Sequence, residues 1–213
     1  MVKPRTNKNR EYFAVIDTET TWSDEVMSIG VAIADSVSFE PVDKRYYILT
    51  PQCNSGGMYS FVMHVKGVKV DLKDSRSAVM KNLINTLKSY NIKFLFAYNA
   101  SFDYKHLPEL QDYMWFDIMK LAAYKQYNKH IPETAECCGT GRLKRNYGVE
   151  PIMRMLSGRR AYREVHNAVC DAVDELKIME LLGYSIYEYD CAQIKFPKNS
   201  NTESITSIPC AVS

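Results

Sequence analysis

Three short clusters in this chain carry residue types able to do metal or acid–base chemistry. The first is Asp17-Thr18-Glu19, at the end of the run Phe13-Ala14-Val15-Ile16. That mix of β-branched and aromatic residues reads as a central strand buried on both faces. Side chains alternate along a strand, so Asp17 and Glu19 point to the same side. Carboxylates that close stay ionised together only beside positive charge, and a divalent cation held by oxygen ligands supplies it. An isolated Asp-x-Glu reads more readily as a strand end entering a solvated acidic turn. The second cluster is Tyr98-Asn99-Ala100-Ser101-Phe102-Asp103, directly after the apolar segment Lys93–Ala97. A carboxylate one turn beyond a strand's carboxyl end sits where open α/β sheets place ligands. The same residues also read structurally, with Asn99 or Ser101 capping a helix and Asp103 complementing its dipole; Phe102 reads as core. The third cluster is His166-Asn167-Ala168-Val169-Cys170-Asp171-Ala172. Here His166 falls at the expected start of a last helix and Asp171 more than a turn inside it. Small Ala168 and Ala172 permit close approach to a sheet, and a carboxylate on a closely packed face needs a partner. Asp174 and Glu175 are expected to face water, and His64, His106 and His130 read as structural or surface residues.

The elements that must position these clusters follow from periodicity. After the opening strand, Val26–Ala34 and Arg45–Leu49 read as strands, with short connections that favour antiparallel neighbours. Val79, Met80, Leu83, Ile84, Leu87 and Tyr90 keep helical spacing, with Asp74 or Ser75 as cap. A strand follows at 93–97, then a helix from Ser101 to about Tyr113, a short strand over Met114–Ile118 and helical sequence from Met119 to Tyr127. Residues 128–149 read as irregular, Glu150–Leu156 as a short helix closed by Ser157-Gly158, and Glu164 to Leu182 as a long amphipathic helix. This order predicts one α/β domain over residues 1–194, a mixed five-stranded sheet with helices on both faces, and an exposed, flexible tail over 195–213.

Composition bounds the function classes. With 213 residues, 46% apolar and 24% charged, the chain has the balance of a soluble globular protein. Neither a membrane-length apolar run nor a signal-peptide core is present, so a cytoplasmic protein with no membrane partner is expected. The six cysteines contain no Cys-x-x-Cys pair and are expected to be reduced thiols. A net charge of +2 does not by itself imply a polyanionic partner. Distribution says more: Arg142, Lys144, Arg145, Arg154, Arg159, Arg160 and Arg163 lie close together against Glu150. This segment reads either as a solvated face or as a phosphate-holding edge beside the His166 cluster, binding sequence-tolerantly and salt-dependently.

Taken in order, Asp17-x-Glu19, Asn99-x-x-x-Asp103 and His166-x-Ala168-x-x-Asp171-Ala172 resemble the DEDDh family of 3′→5′ exonucleases. That family lies in the ribonuclease H-like superfamily and includes polymerase proofreading subunits. The resemblance covers roughly residues 12–182, and each motif alone is weak while the ordered set is specific. A sister group places Tyr four residues before the last Asp; Asn167 stands there here. The resemblance implies two Mg²⁺ or Mn²⁺ ions held by Asp17, Glu19, Asp103 and Asp171. Asp17 would bridge them, Glu19 and Asp171 would complete one site, and Asp103 would serve the other. It also implies His166 as general base and nucleoside 5′-monophosphates released from single-stranded DNA or RNA 3′ ends. Thr18 and Thr20 would approach the terminal nucleotide, and Asn99 would be a further substrate-binding residue. One departure is Trp22, where the family commonly has Gly; it would stack on a nucleotide or cover the sheet edge. The other readings open at this point are a non-catalytic nucleic-acid-binding adaptor and a proofreading subunit whose tail, with Ile205, Ile208 and Pro209, docks a polymerase or other replication partner.

Overall fold

The structure is a computed structural model that describes residues 10–194, and the expected tail lies outside the described residues. Its frame is a six-stranded mixed sheet in the order β4-β3-β2-β1-β5-β6. Strand β1 (Tyr12–Thr20) lies inside it, antiparallel to β2 (Val26–Asp35) and parallel to β5 (Phe94–Ala97). Outward from β2 lie β3 (Pro41–Thr50) and β4 (Leu72–Ser75), and outward from β5 lies β6 (Met114–Asp117). The α/β architecture with helices on both faces is as expected. The strand beyond the expected five is β4. Leu-Lys-Asp-Ser carries no apolar pattern because this strand pairs only along the sheet edge and stays mostly exposed.

Alternation along β1 separates two cores. Phe13 and Val15 face one cluster with Phe96, Phe116, Ile152, Leu176 and Met179, whereas Ala14 and Ile16 face another with Ile33, Leu83, Leu95 and Trp115. The first cluster lies under α4 (Val149–Ser157) and α5 (Ala168–Leu182), the second under α1 (Arg76–Ser89). Ser75 caps α1 by accepting the Ala78 N–H. Two expected helices are shorter than their periodicity suggested. Helix α2 (Ser101–His106) ends at Leu107, because Pro108 disfavours helical backbone in the residue before it. Helix α3 (Met119–Ala122) stops where Asn128 Nδ2 donates to the Ala122 carbonyl at 2.6 Å and Lys125 N–H turns to Gly141 O. The last helix also starts later than Glu164: Asn167 is its N-cap, and His166 precedes it at φ 58°. Asp171 therefore lies in the first turn of α5, not deeper inside it.

Helix α5 lies unusually close to the sheet. A Cβ on Gly30 would fall 2.0 Å from the Ala168 carbonyl carbon. Gly30 is the register partner of Asp17 in the β1–β2 ladder. Lack of a side chain at Gly30 is thus what lets the Asp171 turn settle over Asp17. Cys53, Cys137, Cys138, Cys170 and Cys191 are free thiols. No helix among the described residues is long and apolar enough to cross a membrane.

Candidate active site

Strand β1 delivers Asp17 and Glu19 to the face covered by α5, as alternation from Phe13 and Val15 requires. The first turn of α2 delivers Asp103, and the first turn of α5 delivers Asp171. All four, with His166, line one cleft of about 410 Å³ together with Thr18, Thr20, Trp22, Tyr59, Tyr98, Asn99, Phe102 and Glu164. A larger groove of about 700 Å³ lies beyond residues 162–165 and includes none of the four clustered carboxylates.

The acids crowd one another. Burial, then the charges of Glu175, Asp103, Asp171 and Glu19, drives Asp17 far above the ordinary carboxylate range. Burial also pushes Glu19 up to about 8, with Glu164 and Asp103 adding to it, and raises Asp171 to about 8 with Glu164 and Glu19 adding. Asp103 rises to about 7 by burial, opposed by the Thr18 hydroxyl that donates to Asp103 Oδ1 at 2.7 Å. Asp17 Oδ2 and Asp171 Oδ1 are buried and accept no hydrogen bond among the described residues. One ligand atom each from Glu19, His166 and Asp171 lie within 4.8 Å of one another. Buried carboxylate oxygens without donors are the environment a divalent cation satisfies, so these residues fit such a cation.

The His166 ring stacks on Tyr59, with centroids 4.0 Å apart and planes 15° apart. The loop carrying Tyr59 is tied to the start of α5 by Asn167, whose Nδ2 donates to the Val62 carbonyl at 2.8 Å and to the Tyr46 hydroxyl at 3.1 Å. Burial lowers the His166 pKa, which keeps the imidazole neutral and able to accept a proton near pH 7.

Several expected placements differ. Phe102 is not core but half-exposed on the cleft rim, and Trp22 is 72% exposed beside it rather than covering the sheet edge. Thr18 lines the cleft but is buried, and its hydroxyl donates to Asp103 Oδ1 and so helps to position that carboxylate. Arg142, Lys144 and Arg145 do not line the cleft. Bridges Tyr124↔Arg142 and Cys137↔Leu143 pin that segment through buried Leu143, and Arg142 lies over the Tyr147 ring at 4.6 Å. It is nonetheless adjacent, because the Tyr98 hydroxyl from the cleft lining donates to the Tyr147 carbonyl. Arg154 and Arg163 are engaged by Glu150. Glu175 is the clearest correction: it is 2% exposed, with Oε2 accepting the Tyr98 N–H at 3.0 Å. Asp174 is likewise turned inward enough to accept the Tyr162 hydroxyl at 2.6 Å. Helical spacing carried the signal for Glu175, since it lies four residues beyond Asp171 and shares its face. Tyr59 carried none, because a loop from elsewhere in the chain brings it in, and Glu164, two residues before His166, falls in the segment leading into α5 where the sequence suggested only the start of a helix.

No family model and no curated protein matches the chain. Solved structures do. The nuclease domain of 3'hExo, a DEDDh family member bound to rAMP, superposes with a TM-score of 0.56 at 16% identity, over 81% of this chain and 92% of that one. The fold is that of the DEDDh exonucleases. Exonuclease X in complex with 5' overhanging duplex DNA matches with a TM-score of 0.50 at 18% identity, over 83% of this chain and 96% of that one. An Exonuclease I from Methylocaldum szegediense matches at 0.51 and 14% identity, over 81% of this chain but only 40% of its own. On the DEDDh frame the four clustered carboxylates and His166 of this chain share one cleft.

Proposed function

We propose that this chain is a metal-dependent exonuclease that removes nucleotides from the 3′ end of single-stranded DNA or RNA. The observation that carries the reading is the meeting of Asp17, Glu19, Asp103, Asp171 and His166 in one cleft, with buried carboxylate oxygens lacking donors. Structural neighbours bound to rAMP and to duplex DNA support a nucleic-acid substrate. Two Mg²⁺ or Mn²⁺ ions, when bound, would supply Lewis-acid stabilisation of the attacking and leaving oxygens in an in-line displacement. Asp17, Glu19, Asp103 and Asp171 would hold them.

The chain's own residues do the rest. Neutral His166 takes the proton of the attacking water at an imidazole nitrogen, held in posture by the Tyr59 ring. The new phosphorus–oxygen bond forms as the bond to the penultimate 3′-oxygen breaks, releasing a nucleoside 5′-monophosphate. Trp22 and Phe102 on the rim offer stacking surfaces to flanking bases, a sequence-tolerant contact. Asn99 and Thr20 also line the cleft, where they would approach the bound nucleotide. Arg142, Lys144 and Arg145, outside the cleft, meet phosphates of the incoming strand.

The test is degradation of 5′-labelled single-stranded DNA and RNA with Mg²⁺, Mn²⁺ or EDTA, with Asp17→Asn as control. A metal-dependent ladder that shortens from the 3′ end and vanishes in the variant is expected. Binding without cleavage under every metal condition would instead make the chain a nucleic-acid-binding adaptor.

A further inference from the structure

We infer that Glu175, outside the DEDDh set, is a positioning residue that locks the Asp103-bearing turn to the helix carrying Asp171. Its carboxylate is nearly fully buried and does not line the cleft, so it stands behind the site and not in it. Lying one helical turn beyond Asp171, it reaches from α5 to the first residue after β5 and accepts the Tyr98 N–H at 3.0 Å. The ladder of β5 ends at Phe96 on the β1 side and at Ala97 on the β6 side, so the turn that follows must find its hydrogen-bond partners elsewhere.

The next amide is held in the same way: Asn99 N–H donates to Asp117 Oδ1 at 2.9 Å. Two consecutive amides are therefore clamped by carboxylates from different elements, Glu175 on α5 and Asp117 on β6. Asn99 occupies the left-handed region at φ 62°, a conformation that needs support from its surroundings. Four residues on, Asp103 enters the cleft. A displacement of this turn relative to α5 changes the separation of Asp103 from Asp171, and a two-cation site tolerates little change there. Charge–charge repulsion with Asp17 and Asp103 works against a buried acid at this place. The hydrogen bond that spans two ligand-bearing elements is what Glu175 provides in return.

Length and charge can be separated by two substitutions. Glu175→Gln keeps the reach and an acceptor oxygen but drops the charge; Glu175→Asp keeps the charge but shortens the reach by one methylene. Mn²⁺ titration by calorimetry on the full chain, without nucleic acid, reads the ligand geometry directly. Glu175→Asp is expected to weaken Mn²⁺ binding by roughly 10–100-fold, the usual loss for an outer-shell partner, with Glu175→Gln staying close to the parent. In the cleavage assay the Asp variant should lose kcat while KM for the oligonucleotide holds, and hydrogen exchange at the Tyr98 amide should accelerate in it alone. Wild-type Mn²⁺ affinity in Glu175→Asp overturns the inference, as does a Gln variant weakened more than the Asp variant, which would assign an electrostatic role. The cleavage arm rests on the proposed exonuclease reading. Should the parent protein cleave nothing, that reading fails while the Mn²⁺ and exchange arms still decide the role of Glu175.

Discussion

Asp17 is surrounded by Glu175, Asp103, Asp171 and Glu19, and without a cation its ionised form has no compensating positive neighbour among these groups. The consequence for stability has a definite sign. Glu19 and Asp171 titrate near 8 and Asp103 near 7 in the fold. In the unfolded chain such groups release their protons near pH 4, as model carboxyls do. Between these limits the folded state binds more protons, so stability falls as pH rises. The Tm of the metal-free protein should therefore decline from about pH 5 to about pH 8, and Mg²⁺ or Mn²⁺ should raise it most at the alkaline end. A Tm that climbs through this window would show that the cluster is not strained. Asp171→Asn should raise the metal-free Tm at the alkaline end while abolishing cleavage, as measured by calorimetry and the ladder assay. His166→Ala should lower kcat by about 10²–10⁴-fold, the usual worth of a general base, with little change in folding because the ring is partly exposed. Full activity in that variant would remove the proton-transfer role.

At the level of elements, the site depends on how closely α5 descends on β1 and β2. The side chains of β2 on that face run Ser28, Gly30, Ala32 and Ala34, a stripe of small residues matched by Ala168 and Ala172 on the helix. Gly30 is the critical position, since the added methyl would meet backbone and not a flexible side chain. Gly30→Ala is expected to cost about 1–3 kcal/mol in urea unfolding, as overpacking does. It should also depress activity more than stability, because the forced movement of α5 separates Asp171 from Asp17. Equal activity per folded molecule would mean that the helix shifts without consequence. The loop around Tyr59 belongs to the same assembly, fastened to the N-terminus of α5 through Asn167. One helix start therefore sets a metal-ligand candidate, the candidate base His166 and its stacking partner Tyr59 together.

At the scale of the whole molecule, charge is divided by location. The acids converge in the cleft, while Lys144 and Arg145 remain exposed outside it and Arg142 lies beside Tyr147. Under the proposed function, a single strand whose 3′ end reaches the carboxylates would meet these cations outside the cleft. Replacing Arg142, Lys144 and Arg145 together with Glu should reduce the dependence of log binding constant on log salt by about 2, at roughly 0.7 per phosphate contact. Cleavage at saturating oligonucleotide should persist; an unchanged salt slope, read by fluorescence anisotropy, would place the strand on another surface. The sequence by itself determined the elements with strong periodicity, β1, β2, α1 and α4, and the α/β class, and it singled out Asp17, Glu19, Asp103, His166 and Asp171 as candidates that the fold brings to one cleft, because alternation, helical spacing and local motifs are properties of contiguous chain. It did not determine β4, whose polar residues gain a strand only from pairing with β3. Nor did it show that Thr18 serves Asp103, that Glu175 turns inward, or that Arg142 leaves the cleft, since these follow from contacts between residues far apart along the chain. Periodicity specifies which face of an element is apolar; what stands opposite that face, and how near, is decided by tertiary packing alone, here by the missing side chain at Gly30.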